Sequence, residues 1–306
     1  MASTNPQSDV TELLLSSLGL NAPYVLDLYS LYRANPETVP TDWRHYFQGV
    51  ERGVLSVSEL PGRAGNGVPS VRTEPAPAAL TSAPEEELKP LLGGSALIVA
   101  NMEASRNIPT ATSYRSIPVK VLEENRRLIN HHRSMMGGKK LSFTHFIAWA
   151  VVRALGKYPV MNDAFVSKAG APYRWVRPEI RLGIAVDLER KDGTRNLLVP
   201  NIQDAGSLDF AAFVSLYDQL IERARKGKLE PSDFERTTIT ITNPGTVGTE
   251  ASAPRLMEGQ GAIIAVGSIG YSAETRAMSP EVLSELGISK QMTMSSTYDH
   301  RIVQGA

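Results

Sequence analysis

Hydrophobic residues recur every three or four positions in three stretches beyond residue 110, which predicts three helices. Ser207 opens the clearest of them, whose apolar positions share one face: Phe210, Phe213, Val214, Tyr217, Leu220, Ile221 and Ala224. A second helix follows Pro118, where apolar positions alternate with polar ones: Val121, Leu122, Leu128 and Ile129. The third begins at Ser142, a good capping residue. Its sequence, S-F-T-H-F-I-A-W-A-V-V-R-A-L-G-K-Y, is apolar on nearly all sides and predicts a buried helix.

Short runs rich in β-branched residues alternate with these helices and predict strands. The predicted strands are Gly183–Leu188, Asn196–Ile202, Thr237–Thr242, Ala262–Ile269 and Gln291–Tyr298. The order of helices and strands is mixed rather than strictly alternating. It therefore predicts an α+β sandwich and not a doubly wound sheet.

The first 55 residues predict a small helical module. Its large apolar residues fall at helical spacing before Pro36 and again after Thr41: Tyr24, Val25, Leu28, Tyr29, Tyr32, Trp43 and Phe47. Two short helices bury little by themselves, so this aromatic face requires a partner. That partner is either the rest of the same chain or another subunit. We expect residues 20–50 to be mobile relative to the main domain when no partner subunit is bound.

The composition changes sharply between this module and the rest of the chain. The stretch from Pro61 to Pro90 contains six prolines and five alanines, with few large apolar residues. It predicts a semi-extended linker. The chain thus divides into a helical docking segment (1–55), a flexible linker (56–94) and one α+β domain (95–306).

Charge and composition narrow the functional classes. The 32 basic residues balance the 32 acidic ones, so net charge does not favour nucleic acid or a membrane surface. The absence of cysteine excludes disulfides, zinc–thiolate sites and a cysteine nucleophile. The sequence has neither a long apolar span nor a signal-peptide core, which predicts a cytoplasmic protein.

Four of the five histidines have structural interpretations. His45 lies in the aromatic module, and His131 and His132 lie on a basic helix whose charged face is expected to be solvated. His145 falls inside the buried helix and is expected to be a core histidine with its hydrogen bonds satisfied. No pair of histidines has metal-ligand spacing beside a carboxylate, so no metal site is predicted.

Two further positions are candidates for chemistry. His300 follows an alternating strand and precedes a turn, a pattern compatible with both a structural and a catalytic role. The threonine-rich strand T-I-T-I-T ends at Thr242, just before the turn Asn243-Pro244-Gly245. A hydroxyl at a strand end can donate to a developing oxyanion, but threonine is also a common strand residue.

Three stretches in order resemble the catalytic domain of the 2-oxo acid dehydrogenase dihydrolipoyl acyltransferases. They are T-I-T-I-T-N-P-G-T-V-G-T, A-P-R-L-M-E-G-Q-G-A-I-I-A-V-G and T-Y-D-H-R-I-V-Q-G-A. That family carries D-H-R-x-x-D-G, preceded by T-I-[ST]-N-x-G at a separation like that between Thr242 and His300. The early stretch Y-V-L-D-L-Y-S-L-Y-R-A-N-P-E-T-V-P-T-D-W-R-H-Y-F resembles the opening of the decarboxylating component of 2-oxoglutarate dehydrogenase. The multifunctional 2-oxoglutarate metabolism enzymes join both pieces in one polypeptide.

The resemblance implies succinyl transfer between dihydrolipoamide and coenzyme A. It implies that His300 is the base and Thr242 the oxyanion donor, with Asn243 and Gly245 in support. It also implies a chloramphenicol-acetyltransferase-like fold assembled as homotrimers, in which His300 of one subunit faces Thr242 of its neighbour. The domain over 95–306 is expected to be incomplete at its C-terminal end, because the family's closing helix is missing.

Gln304 departs from the family pattern, which has aspartate at that position. A neutral amide can keep the turn through hydrogen bonds and places no negative charge beside His300. The arginine that pairs with the aspartate would fall at residues 90–92, where this chain has proline and leucines. For the carboxylate of a succinyl group, the candidate contacts are Thr249 and Arg255.

The resemblance also implies partners and cofactors. The linker is too short for a lipoyl domain, so the lipoyl group is expected in trans, on the lipoyl-bearing acyltransferase of a 2-oxo acid dehydrogenase complex. Dihydrolipoyl dehydrogenase is the second expected partner, and coenzyme A is the substrate. Thiamine diphosphate and Mg are expected only if the chain continues into a decarboxylase region.

A function of another class stays open. The domain can instead be a trimeric scaffold that positions a thiamine-diphosphate decarboxylase, docks its partners through residues 20–50 and has little activity of its own.

Overall fold

The structure, a computed structural model, describes residues 22–52, 94–189 and 195–305. The α-helices in these ranges are α1 Ala22–Ala34, α2 Thr41–Glu51, α3 Gly94–Arg106, α4 Lys120–Met135, α5 Phe143–Lys157, α6 Phe210–Arg225 and α7 Pro280–Glu285. The strands are β1 Thr110–Pro118, β2 Ala164–Lys168, β3 Ala171–Trp175, β4 Leu182–Ile184, β5 Val186–Glu189, β6 Arg195–Leu198, β7 Asn201–Ile202, β8 Ile239–Thr242, β9 Ala262–Val266 and β10 Gln291–Asp299. Nearly all of the predicted linker, including residues 90–92, lies outside the described residues.

Six strands form one mixed sheet in the order β1-β10-β9-β8-β4-β7. β8 runs parallel to both β4 and β9, whereas β10 is antiparallel to β9 and to β1. Two hairpins, β2–β3 and β5–β6, stand outside this sheet. Helices and a mixed sheet in one domain confirm the predicted α+β class.

The alternation of side chains along β8 divides the sheet into two faces. Ile239 and Ile241 belong to the same apolar cluster as Val151 of α5 and Phe213 of α6, so the helices cover this face. Thr238 and Thr240 point to the other face, where their hydroxyls donate to the Arg181 carbonyl and the Gln260 side chain. The threonine-rich strand is therefore a polar face of the sheet backed by an apolar one.

Two details of the predicted helices differ in the structure. The N-cap of α6 is Asp209, not Ser207, because the Asp209 carboxylate accepts from the backbone N–H of Ala212 at 2.7 Å. On α4, Val121 and Leu128 are 70% and 68% exposed, so they do not mark its core-facing side. Within the described ranges, no helix is long and apolar enough to cross a lipid bilayer.

The aromatic face of α1 and α2 packs on the main domain, while the expected mobility of residues 20–50 stays a prediction that hydrogen exchange would test. Trp43 is 1% exposed, and its indole N–H donates to the Leu229 carbonyl at 2.7 Å. Tyr24 and Trp43 both contact the ring of Phe234, at centroid distances of 5.8 and 6.4 Å. The partner of this face is thus the segment that follows α6 in the same chain.

Replacing Trp43 with alanine is expected to lower the free energy of unfolding of the domain by about 3 kcal/mol, because it opens a cavity and leaves the Leu229 carbonyl unpaired. Urea unfolding measures this loss. The matched control is Leu31→Ala, since Leu31 is 52% exposed on the neighbouring helix and should change stability by about 0.5 kcal/mol or less. Equal stabilities of the two variants would show that the helices do not stabilise the domain.

Candidate active site

His300 sits in the turn that follows β10. Its backbone N–H donates to the Pro109 carbonyl at 2.9 Å, and its ring Nδ1 lies 2.8 Å from the Val303 carbonyl oxygen. A carbonyl only accepts, so Nδ1 carries the proton in the neutral ring and Nε2 keeps its lone pair. The neutral ring therefore leaves the Nε2 lone pair free, and the residue is exposed.

The backbone of this turn is fixed on both sides of His300. The Asp299 carbonyl accepts from the backbone N–H groups of Ile302 and Val303, each at 3.0 Å. The Asp299 carboxylate, 4% exposed, is paired with the Arg301 guanidinium at 2.7 Å. The Gln304 amide donates to the Arg301 carbonyl at 3.2 Å, so a neutral side chain at this position does hydrogen-bond within the turn.

Thr242 ends β8 with its side chain half-buried. Among the residues that the structure describes, none makes a hydrogen bond with its hydroxyl, unlike those of Thr238 and Thr240 on the same face. The hydroxyl is therefore available to a ligand at the end of the strand.

Two neighbours of Thr242 shape the turn after β8. The Asn243 side chain donates to the Thr144 hydroxyl at 2.9 Å, which ties the turn to the start of α5. Gly245 lies against the backbone of Gly267, where a Cβ atom would approach the Gly267 carbonyl carbon to 2.3 Å, so only glycine fits. The supporting positions predicted at Asn243 and Gly245 therefore hold the shape of the turn.

The two candidate contacts for the succinyl carboxylate differ in their surroundings. Thr249 is half-buried, and its backbone is tied to the same turn by hydrogen bonds with the Pro244 carbonyl and the Ser268 N–H. Arg255 is exposed on the segment that leads to β9. The fold thus brings Thr249 next to Thr242 and leaves Arg255 at the surface.

The strand register separates His300 from Thr242 within one chain. Thr242 is level with Ala265 of β9, which pairs with Ser295 of β10, five residues before His300. The two residues are separated by two strand-to-strand spacings across the sheet and by five residues along a strand. This places them on the order of 15–20 Å apart. They lie at opposite ends of the sheet, so one chain alone cannot bring both to the same substrate atom.

A basic cavity of about 420 Å³ lies beside α4, in a region that the sequence had indicated only as a solvated face. Its lining includes the basic side chains of Arg126, Arg127 and Lys140, together with His131. The one acidic lining residue, Glu123, is paired with Lys290 at 2.9 Å. The cavity is therefore positively charged.

Arg126 and its neighbours connect this cavity to the Thr242 turn. The Arg126 guanidinium lies 4.2 Å from the ring centre of Phe143, and its buried Nε has no partner within the described part of the chain. Phe143 is followed by Thr144, which accepts the hydrogen bond from Asn243. The cavity is therefore linked to the turn after Thr242 by contacts through the start of α5.

His145 has the structural role predicted for it. The backbone N–H of Ser142 donates to its Nδ1 at 3.1 Å, so Nε2 carries the proton and donates to Asp218 at 3.0 Å. The residue is 5% exposed and, with Ser142, forms a capping box at the start of α5. Both ring nitrogens are satisfied, and His145 stabilises the helix.

Comparison with known proteins identifies the class to which this fold and this histidine turn belong. The chain belongs to the family of 2-oxoacid dehydrogenase acyltransferases, whose catalytic-domain model matches residues 83–306. A second family model, the 2-oxoglutarate dehydrogenase N-terminus, matches residues 18–54. The two resemblances carried by the sequence motifs are thereby confirmed, and the domain is an acyltransferase.

The similar curated proteins combine both parts. The multifunctional 2-oxoglutarate metabolism enzyme of Mycolicibacterium vanbaalenii is 46% identical over 95% of this chain and 27% of its own length. The enzyme of the same name from Mycobacterium sp. strain JLS is 45% identical over 81% of this chain and 19% of its own. The chain thus spans roughly a fifth to a quarter of the length of these relatives.

Solved structures of acyltransferase cores have the same fold. A truncated catalytic core of the 2-oxoacid dehydrogenase multienzyme complex from Thermoplasma acidophilum has a TM-score of 0.58 at 25% identity, covering 72% of this chain and 91% of that one. The dihydrolipoamide acetyltransferase of Azotobacter vinelandii has a TM-score of 0.59 at 24% identity, covering 72% and 86%. The predicted acyltransferase fold is confirmed.

Proposed function

We propose that this domain transfers a succinyl group between the sulfur of a dihydrolipoamide and coenzyme A, within a 2-oxoglutarate dehydrogenase system. The names of the relatives and the 2-oxoglutarate dehydrogenase N-terminal segment support the choice of succinyl over other acyl groups. The observation that carries the proposal is the Nδ1 contact of His300 with the Val303 carbonyl, because it leaves Nε2 as a base. Loss of thioester exchange in His300→Ala is the test.

The proposed reaction needs a base and an oxyanion donor. His300 Nε2 removes the proton from the coenzyme A thiol, and the thiolate attacks the carbonyl carbon of S-succinyldihydrolipoamide. The Thr242 hydroxyl donates to the oxyanion of the tetrahedral intermediate. When the intermediate collapses, the bond to the lipoyl sulfur breaks and that sulfur takes the proton from His300. The products are succinyl-CoA and dihydrolipoamide.

A second copy of the chain completes this site. Since Thr242 and His300 lie at opposite ends of one sheet, the donor and the base at one substrate come from two subunits. A closed ring in which each subunit offers its His300 end to the Thr242 end of the next satisfies every site. A homotrimer is the ring that the family resemblance implies.

The basic cavity supplies a place for the phosphates of coenzyme A. Coenzyme A carries a diphosphate and a ribose phosphate far from its reactive thiol, and arginine recognises phosphate through paired N–H groups. The cavity offers two arginines and a lysine next to the Thr242 turn, so a bound cofactor can extend from the cavity toward the Thr242 hydroxyl.

Replacing Arg126 with glutamine is expected to raise KM for coenzyme A by roughly tenfold or more, since a charge-assisted hydrogen bond is lost. Pantetheine has the same thiol arm without phosphates, so its kinetics should not change in this variant. Arg153→Gln is the matched control, because Arg153 also stacks on an aromatic ring, Trp149 at 5.7 Å, but does not line the cavity. Equal losses with coenzyme A and pantetheine would contradict phosphate binding.

Thr249 and Arg255 are proposed to contact the free carboxylate of the succinyl group. Because Arg255 is exposed, its ion pair with the carboxylate is expected to contribute about 1 kcal/mol. Arg255→Gln should then reduce the preference for succinyl-CoA over acetyl-CoA by about fivefold. An unchanged preference would remove Arg255 from the site.

The remaining proposed partners are those of a 2-oxoglutarate dehydrogenase system. The lipoyl group is proposed to arrive on the acyltransferase of a 2-oxo acid dehydrogenase complex, reoxidised by dihydrolipoyl dehydrogenase, in the cytoplasm. Thiamine diphosphate and Mg belong to the proposal only for a longer chain that contains a decarboxylase region.

The scaffold function is the second candidate, and one observation favours it. The segment that matches the 2-oxoglutarate dehydrogenase N-terminus is anchored to the acyltransferase domain through Trp43 and Tyr24. An anchor of this kind fixes the start of a dehydrogenase segment on the trimer. Absence of transfer activity in the wild-type chain would favour the scaffold.

A further inference from the structure

The turn that carries His300 touches an aromatic ring from a distant part of the chain. The Arg301 guanidinium carbon lies 3.7 Å from the ring centre of Phe165, in β2. The same guanidinium is also paired with the Asp299 carboxylate, at 2.7 Å. Arg301 is therefore held between a carboxylate of its own turn and the face of a ring, the geometry of a cation–π contact.

The orientation of the His300 ring depends on this turn. The ring bonds to the Val303 carbonyl, and the Val303 N–H bonds back to the Asp299 carbonyl. Both the backbone N–H and the guanidinium of Arg301 bond to the Asp299 carboxylate. A displacement of the Arg301 side chain therefore acts on the backbone from 299 to 303, and through it on the direction of Nε2.

Phe165 stands on a part of the hairpin that is firmly attached to the sheet. Just before β2, the buried Asp163 accepts from Arg174 at 2.6 Å and from the Arg177 backbone N–H at 3.1 Å. Arg177 also donates to the Gly259 carbonyl at 2.6 Å. Burial lowers the pKa of Arg177 to about 10, against the effect of the Asp163 carboxylate, so it stays protonated at neutral pH.

At Gly261, the backbone that leads into β9 packs directly against the backbone that leads into the hairpin. A Cβ atom there would approach the Met161 and Asp163 carbonyls to 2.4 and 2.6 Å. Gly261 directly precedes β9, at the end of the sheet where β10 finishes, since Tyr298 pairs with Ala262. The base of the hairpin is thus fixed to the same end of the sheet as His300.

We propose that Phe165 is a positioning residue for the transfer reaction: its ring holds Arg301, and Arg301 holds the turn that aims His300 Nε2 into the neighbouring subunit's site. The inference rests on the proposed function for its catalytic consequence. Phe165 itself touches neither substrate nor the reacting atoms.

Two substitutions separate the ring face from simple apolar packing. Phe165→Leu keeps an apolar side chain but removes the ring, whereas Phe165→Tyr keeps the ring. Phe165→Leu is expected to lower kcat for succinyl exchange by roughly tenfold with KM for coenzyme A unchanged, because a misaimed base slows the chemical step alone. Phe165→Tyr should match the wild type in both constants.

A second readout does not depend on activity. Hydrogen exchange of the backbone N–H groups of Ile302 and Val303 reports whether the turn is held, since both donate to the Asp299 carbonyl. Exchange at these two positions should be faster in Phe165→Leu than in the wild type or in Phe165→Tyr. Tyr173→Leu is the matched control, because Tyr173 is 52% exposed on β3 of the same hairpin and its loss should change neither readout.

The outcomes distinguish this inference from the proposed function. Phe165 does not position His300 if hydrogen exchange at Ile302 and Val303 is the same in Phe165→Leu as in Tyr173→Leu. The same conclusion follows if Phe165→Leu speeds this exchange in an active enzyme but leaves kcat unchanged. A full-length wild-type chain without transfer activity would overturn the proposed function alone. The exchange comparison would then still decide whether Phe165 holds the turn.

Discussion

Replacing His300 with alanine is expected to lower the rate of succinyl exchange between succinyl-CoA and dihydrolipoamide on the order of 10³-fold, within the range typical of a lost general base. The reason is specific to this ring. Its Nδ1 proton is committed to the Val303 carbonyl, and its exposed position leaves Nε2 free to take the thiol proton. The measurement is steady-state thioester exchange with the purified chain. KM for coenzyme A should change little, because the basic cavity, which does not include His300, is proposed to bind the phosphates of coenzyme A.

The control for this variant is His132→Ala, which removes an exposed histidine from α4 that does not line the cavity. It should retain full activity. Exchange that persists in His300→Ala at the level of His132→Ala would contradict the acid–base assignment.

Replacing Thr242 with alanine is expected to lower kcat on the order of 10²–10³-fold, or about 3–4 kcal/mol in the barrier, as when one oxyanion donor is removed. The Thr242 hydroxyl has no hydrogen-bond partner among the described residues, so its loss should leave the stability of the fold nearly unchanged. Thr242→Ser keeps the hydroxyl and should recover most of the rate. The measurements are kcat and the midpoint of urea unfolding for both variants.

Thr246→Ala is the matched control for this position, since Thr246 lies four residues further on and its hydroxyl donates to the Asn243 carbonyl. If Thr246→Ala and Thr242→Ala slow the reaction equally, the effect comes from the shape of the turn and not from a donor at Thr242.

The strands that carry the candidate residues could be predicted because their sequences alternate strongly. Thr237–Thr242 and Gln291–Tyr298 correspond to β8 and β10 within one or two residues at each end. β1 was not predicted, since T-A-T-S-Y-R-S-I-P has no apolar alternation. The structure explains why the sequence of β1 lacks apolar alternation: β1 is an edge strand whose residues are mostly exposed. Its pairing with β10 is set by the partner strand.

The hairpin β2–β3 was missed for a different reason. Its turn places Ala169 at φ 51° and Gly170 at φ 78°, and alanine is an unusual residue in that left-handed region. The sequence therefore lacked the Asn-Gly or Asp-Gly signal of such a turn. Without the hairpin, the contact between Phe165 and Arg301 could not be predicted, because the two residues lie far apart along the chain.

The N-terminal helices show the limit of reasoning from local burial. The aromatic face of α1 and α2 does exceed what two helices can bury between them, as the sequence indicated. Its partner, the segment from Gly227 to Phe234, has no pattern of its own that marks it as a docking surface. The basic cavity is a similar case, since the approach of Lys140 to the charged face of α4 could not be read from the sequence.

One active site is proposed to take His300 from one subunit and Thr242 from another. The most direct test is complementation: the His300→Ala and Thr242→Ala chains are produced together with different affinity tags, and assemblies that contain both are isolated. In a trimeric ring that contains both chains, one of the three sites pairs an intact His300 with an intact Thr242, so the mixed assemblies should recover about a third of wild-type exchange. Each variant produced alone should remain nearly inactive. Mixed assemblies no more active than the separate variants would contradict a site shared between subunits.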